Sequence, residues 1–363
     1  MRRFGFIFHP LDMGLYADGF NEPGIKKKRL FLMQQVIRWF PPMKRSTVTG
    51  IRSMTGDEIE GDMILVSLLP EQILKLESGF VMKKIIEAGK IAQDLGDNIV
   101  GLGAYASQVG RKGVHIARGL NIPVTTGSSY TIAVAIDATL IACRKVGIDI
   151  KGARVCVIGA TGAIGSICTK TLASYKPRKM TIVARNLFRL KRLASAVGSG
   201  WPDVDVCVSR DIQKATGEAD VMIIATNTPS AIVDVENLKP GTIVCDVSSP
   251  RNISMEAMRL RQDVLVIDGG IIQPPGEVDF HFSFGLPPGM AYACMAETMI
   301  LTFEGLFENY SLGGNITLEK VQKIQALAMK HGFKLARLRS FGHEITPQQM
   351  EKVRITRVSK AGR

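Results

Sequence analysis

Apolar positions along this chain follow two rhythms. Short apolar-rich runs with many β-branched residues occur at residues 4–8, 59–68, 98–105, 155–158, 180–184, 204–209, 221–226, 242–248 and 264–270. Runs of that length and composition predict strands buried on both faces. Longer stretches at 71–95, 131–145, 290–306 and 317–331 carry their apolar residues at helical spacing and predict helices. From residue 155 six strand signals are separated by helical or turn segments, the pattern of a doubly wound parallel sheet. The chain therefore reads as α/β: an N-terminal α/β substrate domain over 1–127, a doubly wound Rossmann domain over 128–286, and C-terminal helices with a basic tail over 287–363.

The first strand of the doubly wound region breaks into Gly159-Ala-Thr-Gly162-Ala-Ile-Gly165 before a helix begins. Gly159 suits a tight turn, Gly162 lets the backbone approach a pyrophosphate, and Gly165 allows close packing of helix on strand. The helix N-terminus adds N–H groups and a positive dipole end. Gly159, Thr161, Gly162, Ala163, Ile164 and Gly165 are thus candidate dinucleotide contacts. The next strand ends in Arg185-Asn186 with Arg189 beyond, and no Asp or Glu occurs between Asp149 and Asp203. An acid that would bind the ribose of NAD is missing while guanidinium groups stand ready for a 2′-phosphate, so the expected cofactor is NADPH. Thr226, at the carboxyl end of the fourth strand, joins the cofactor list by the switch-point rule.

At 363 residues with 46% apolar content the chain can bury a large core in two or three domains. Lys and Arg outnumber Asp and Glu by 46 to 33, a balance that draws anionic partners without choosing among them. The six cysteines show no CxxC spacing and the five histidines no metal spacing, which points to reduced thiols, a cytoplasmic setting and no metal. The greasiest run, 131–143, carries Asp137 and is shorter than the roughly 20 residues a membrane span needs, so no transmembrane segment is expected. Lys26-Lys-Lys-Arg29 reads as a charged surface loop. The last thirty residues hold eight Lys or Arg against Glu344 and Glu351, a basic tail expected to be mobile.

Among candidate nucleophiles, Cys294 stands near the start of the helix after Pro287-Pro288, where the helix dipole would lower a thiol pKa. Free cysteine is also among the most buried residue types, so a core position is the competing reading. Glu297, one turn on, reads as a catalytic acid that orients a water or proton, or as a paired helix acid.

The chain resembles the long-chain acyl-[acyl-carrier-protein] reductases of cyanobacterial type, from Phe4-Gly-Phe-Ile to Lys330-His-Gly-Phe333. The resemblance rests on Thr47-Val-Thr-Gly50 with Thr55-Gly56, Leu69-Pro70, Leu102-Gly103 with Ser107, Thr125-Thr-Gly127, Gly159-Ala-Thr-Gly162, Val183-Ala-Arg-Asn186, Asp268-Gly-Gly-Ile271, and above all Ala293-Cys294 with Ala296-Glu297 and Phe303-Glu-Gly305. It implies that Cys294 takes the acyl group from a thioester of acyl carrier protein or coenzyme A and that the acyl group is reduced to a fatty aldehyde. It also implies a downstream aldehyde-deformylating oxygenase as partner. Ser107, Gly127 and Ser128 are the candidate substrate residues, with backbone N–H groups there expected to stabilise an oxyanion. Two positions depart from the family pattern: Ser128 replaces an Asn, and Gly289 an Arg.

Three other classes compete with this reading. A shikimate-dehydrogenase-like oxidoreductase of a small hydroxy acid shares the plan but needs an Asn-Val-Thr-x-Pro-x-Lys stretch that is absent. A glutamyl-tRNA-reductase-like enzyme draws its nucleophile from the N-terminal domain, whereas the first cysteine here is Cys143. A non-enzymatic, basic dinucleotide-binding regulator is compatible with the charge, but no nucleic-acid-binding pattern accompanies it, so nucleic acid is not an expected partner.

Overall fold

The computed structural model describes residues 1–11, 32, 34–226, 228, 231–248 and 251–361. The basic run Lys26–Arg29 lies outside them. The fold is mixed α/β with helices at the C-terminal end, as the periodicity predicts. The described residues form two compact units that interleave along the chain: 1–130, 272–315 and 323–334 make the first, and 131–271, 316–322 and 335–363 the second. The three consecutive spans read from the sequence divide the chain differently, because residues after 271 return to the first unit and the tail belongs to the second.

The first unit is built on strands β1 (Arg2–Phe8), β2 (Met43–Arg52), β3 (Glu58–Leu65), β4 (Val100–Leu102) and β5 (Val124–Thr125). Parallel pairing joins β3, β1, β4 and β5, while β2 runs antiparallel to β3. The helical stretch expected over 71–95 is two helices, α1 (Pro70–Lys75) and α2 (Ser78–Asp94). Glu77 causes the break: its carboxylate accepts from the amides of Gly79 and Phe80 and starts a new helix. Strand alternation gives the sheet two apolar faces. Ile7 and Leu102 enter a core with Val81, Ile85 and Ala88 of α2, while Phe6 and Gly101 point the other way.

In the second unit helix α3 (Ser128–Val146), whose first turn belongs to the first unit, leads into β6 (Arg154–Ile158), α4 (Ala163–Ala173), β7 (Lys179–Val183), α5 (Leu187–Gly200), β8 (Asp205–Ser209), β9 (Val221–Ile224), β10 (Ile243–Asp246) and β11 (Leu265–Asp268). All six strands are parallel, in the order β11-β10-β9-β6-β7-β8. This is the doubly wound order, with its switch point between β6 and β9, where ligands bind beyond the strand ends.

The chain then returns to the first unit. Strand β12 (Gly276–Asp279) pairs antiparallel with β2, and α6 (Ala293–Glu304) packs on β1 and β4. The approach is so close that a Cβ on Gly101 would lie 2.2 Å from Thr298 Oγ1. Helix α7 (Leu318–His331) follows. The basic tail differs from expectation: most of it is helix α8 (Pro347–Ala361), held on the second unit by Arg357 to the buried Asp220 and by Lys352 to Gln262. Its apolar face, which includes the buried Val353, gives it a place to pack that a count of charges does not register.

Candidate active site

In the first unit the site grows from α6. Every residue from Ala293 to Phe303 is buried except Cys294, so ahead of its last residue, Glu304, this apolar helix opens at the cysteine. The backbone amides of Ala104 and Met295 hydrogen-bond the Cys294 sulfur. Burial nevertheless pushes its thiol up to about 11, with the Glu297 carboxylate adding to the rise and those amides opposing it. The dipole-lowered thiol expected from the sequence is therefore corrected, because desolvation outweighs the helix end. Cys156, Cys168 and Cys245, buried within the second unit, are pushed higher still by burial alone or nearly so.

Two loops frame the sulfur. Gly127 has φ +71, and a Cβ there would stand 2.2 Å from the Cys294 Cα, so only glycine lets the Thr125–Ser128 loop lie against the nucleophile. Glu297 anchors that loop. It is wholly buried and accepts from Thr125 Oγ1 at 2.5 Å and from the Tyr130 amide at 2.7 Å. Burial raises its pKa while these bonds, with others from Ser311 and the Ser129 amide, oppose the rise. With both oxygens so engaged it holds α3's first turn, the paired-acid arrangement among the two readings that the sequence offers. Ser128 Oγ contacts Thr126 Oγ1 at 2.9 Å, and Thr126 in turn donates to the Ser311 carbonyl.

The second loop is Gly103–Gln108. Ala104 adopts φ +44, a conformation disfavoured for any residue with a side chain, and this aims its amide at the sulfur. Ser107 Oγ donates to the Ala104 carbonyl at 2.6 Å. The buried His9 fixes the other side: its Nε2 accepts from the Tyr105 amide at 3.1 Å, so its Nδ1 carries the proton and donates to the Pro10 carbonyl at 3.0 Å. Burial lowers the His9 pKa and keeps it neutral. The amide that reaches the sulfur thus comes from the Ser107 loop, while the Gly127 amide donates to Thr125 Oγ1. His9, Ala104 and Ser311 escape sequence reading, whereas Thr125 stands in the Thr125-Thr-Gly127 motif without a role assigned to it. The signal for His9 is a histidine directly after a buried strand.

In the second unit the turn after β6 has the shape its glycines imply. Gly159 has φ +78, and a Cβ on it would meet the Ala225 carbonyl oxygen at 2.3 Å. A Cβ on Gly165 would stand 2.3 Å from the Gly159 carbonyl oxygen, and Gly162 caps α4 in extended conformation. Thr161 is half-buried and Gly162 exposed, and Ala163 and Ile164 begin α4 half-buried. This cradle is bare backbone and a free helix start, which fits a dinucleotide pyrophosphate. Arg185 and Arg189 are exposed beyond β7, while the Asn186 side chain caps α5 through the Arg189 amide. Thr226, after β9, is tied to Asn252 and Ser248.

The two units define a dinucleotide-dependent oxidoreductase with a surface-reaching thiol. The shikimate/quinate 5-dehydrogenase family matches residues 141–268, wholly inside the second unit. The resemblance drawn from the motifs is borne out: over 307 residues the chain is 29% identical to the long-chain acyl-[acyl-carrier-protein] reductase of Synechococcus elongatus, covering 81% of this chain and 87% of that protein. It is 26% identical over 373 residues to the aminotransferase PigE of a Serratia species, matching 96% of this chain but spanning only 41% of that longer protein. A glutamyl-tRNA reductase of Caldivirga maquilingensis is 28% identical over 182 residues, 49% of this chain and 36% of that one. The chain is an oxidoreductase, and its cofactor is NADPH. No helix among the described residues is long and apolar enough to cross a membrane.

Proposed function

We propose that the protein reduces long-chain acyl thioesters to fatty aldehydes through an acyl group held on Cys294. The observation that carries this reading is that α6, otherwise buried from 293 to 303, opens only at Cys294, where two backbone amides meet the sulfur. The Cys294 sulfur attacks the thioester carbonyl, a new C–S bond forms, the carrier sulfur leaves, and the thiol proton passes to it. Exchange of one thioester for another is nearly balanced in energy and leaves the carbonyl electrophilic. The Ala104 and Met295 amides stabilise negative charge at this point, first on sulfur and then on the acyl oxygen. When bound, NADPH supplies the hydride that releases the acyl group as aldehyde and frees Cys294.

Acyl carrier protein or coenzyme A is the carrier, and a deformylating oxygenase is the taker of the aldehyde. The similarity to the Synechococcus reductase supports the acyl substrate, and the helical, anchored Glu297 supports a role in shaping the site. Incubation with palmitoyl carrier protein or palmitoyl coenzyme A and NADPH should yield hexadecanal by mass spectrometry. Oxidation of NADPH without aldehyde from either thioester would overturn the reading.

A further inference from the structure

Beyond Ala104 the chain enters a second strained stretch. Gly110 (φ 60), Arg111 (φ 57), Lys112 (φ 55) and Gly113 (φ 82) are four successive residues in the left-handed region. Glycine tolerates this freely, but in Arg and Lys the Cβ crowds the carbonyl oxygen. Two long cationic side chains are thus held where the backbone favours glycine, and strain of this kind gathers at ligand clamps. Lys112 is also half-buried, and burial lowers its ammonium pKa. Among the described residues no hydrogen bond or ion pair reaches the Lys112 amine or the Arg111 guanidinium. A partly desolvated cation without a partner calls for an anion.

The turn's position narrows the choice. The Lys112 carbonyl accepts from the Gly313 amide at 3.0 Å, and Gly113 faces the Thr126 methyl. The residue after Thr126 is Gly127, which lies against Cys294. We propose that Arg111 and Lys112 form a subsite for the phosphate of a 4′-phosphopantetheine arm, the group shared by carrier-protein and coenzyme A thioesters. The inference rests on the acyl-thioester reading of Cys294 and adds the recognition of the carrier arm. An acyl chain would not seat on two cations, whereas a phosphate matches a guanidinium beside an ammonium.

The test compares palmitoyl-4′-phosphopantetheine with palmitoyl-pantetheine. The parent protein should prefer the phosphorylated substrate about tenfold or more in kcat/KM, carried by KM. In the double variant Arg111→Gly, Lys112→Gly the ratio should fall towards one. These substitutions relieve the left-handed strain, so the thermal midpoint should hold or rise, and Lys112→Arg should retain the preference. A parent ratio near one, or a double variant that keeps the preference, would overturn the proposal. Palmitoyl coenzyme A and palmitoyl carrier protein run in parallel identify the source, as the one whose KM rises along with that of the phosphopantetheine thioester. A rise with carrier protein alone would also overturn it, because the cations would then read the carrier's surface. If the parent makes aldehyde from neither small thioester, nor from palmitoyl carrier protein or palmitoyl coenzyme A, the reductase reading fails separately. Binding then decides the subsite: 4′-phosphopantetheine should raise the parent's thermal midpoint more than pantetheine does and lose that advantage in the double variant, and equal shifts in the parent would overturn it.

Discussion

The glycine turn of the second unit and the thiol site of the first solve opposite problems. The turn leaves backbone bare, so that a ligand can come close to amides between Gly159 and Gly165. The thiol site crowds backbone onto one side chain: Gly127 presses on Cys294 from behind while Ala104, at φ +44, reaches it from a separate loop. One is local, made by seven consecutive residues. The other gathers residues near positions 9, 104, 127, 294 and 311, and its donors are main-chain groups. Binding by exposed amides is encoded in residue type, and activation by aimed amides is encoded in tertiary packing.

The two glycines most central to each region should fail independently. Gly159→Ala meets a carbonyl oxygen at 2.3 Å with φ +78, which combines backbone strain and overpacking to cost about 3 kcal/mol or more. NADPH affinity should fall by more than about a hundredfold, read by fluorescence titration, while alkylation of Cys294 continues. Gly127→Ala, at 2.2 Å from the Cys294 backbone, should cost as much in stability by denaturant melt and disturb alkylation of Cys294 instead. Parallel loss of both readouts in both variants would dissolve the comparison.

Glu297→Gln sharpens it. The carboxylate accepts from Thr125 and Tyr130 in full burial, and an amide oxygen accepts these bonds less strongly, at about 2–3 kcal/mol of stability in a melt. Aldehyde formation should persist at reduced rate, since Glu297 positions the loop; complete loss in a folded variant would assign the proton-handling part to it. Arg185→Asp tests the second unit's specificity. Loss of a charged hydrogen bond and gain of a repelling carboxylate should cut the preference for NADPH over NADH by about tenfold or more in KM. An unchanged ratio would move 2′-phosphate recognition elsewhere.

The smallest effect concerns the sheet beneath the thiol site. Asp97 is buried with neither carboxylate oxygen hydrogen-bonded, and burial, aided by the Asp62 charge, holds its pKa up at about 7 against an ordinary 3.8. The folded state therefore binds this proton more tightly, and stability falls as pH rises from about 4 to about 7, staying level above. Asp97→Asn removes that slope. Its thermal midpoint should exceed the parent's above pH 7 and converge with it near pH 4, where the parent's carboxyl is protonated and as neutral as the amide. A difference independent of pH would show that Asp97 does not titrate in that window.

Much of the fold was legible because sheet and helix periodicities are short-range. The six strands of the second unit, the glycine turn and the helix bearing Cys294 all follow from residue type and spacing. The break at Glu77 was not, since a carboxylate capping two amides interrupts a run whose apolar spacing continues through it. Nor was the return of β12 to β2, which links residues more than two hundred apart. Within the site, Cys294 and Gly127 were legible and Ala104 was not, because nothing in an alanine announces φ +44. The rise in the thiol's pKa is not legible for a related reason: a helix start is visible in sequence, and the desolvation around it is not.

The central claim is that Cys294 carries the acyl group. Incubating the protein with palmitoyl coenzyme A in the absence of NADPH, then digesting and mapping by mass spectrometry, should place a palmitoyl adduct on the peptide containing Cys294. The adduct should vanish on adding NADPH, and Cys294→Ser should form none while binding NADPH as the parent does. A palmitoyl adduct on any of the other five cysteines, or aldehyde made by Cys294→Ser at more than a small residual rate, would contradict the account.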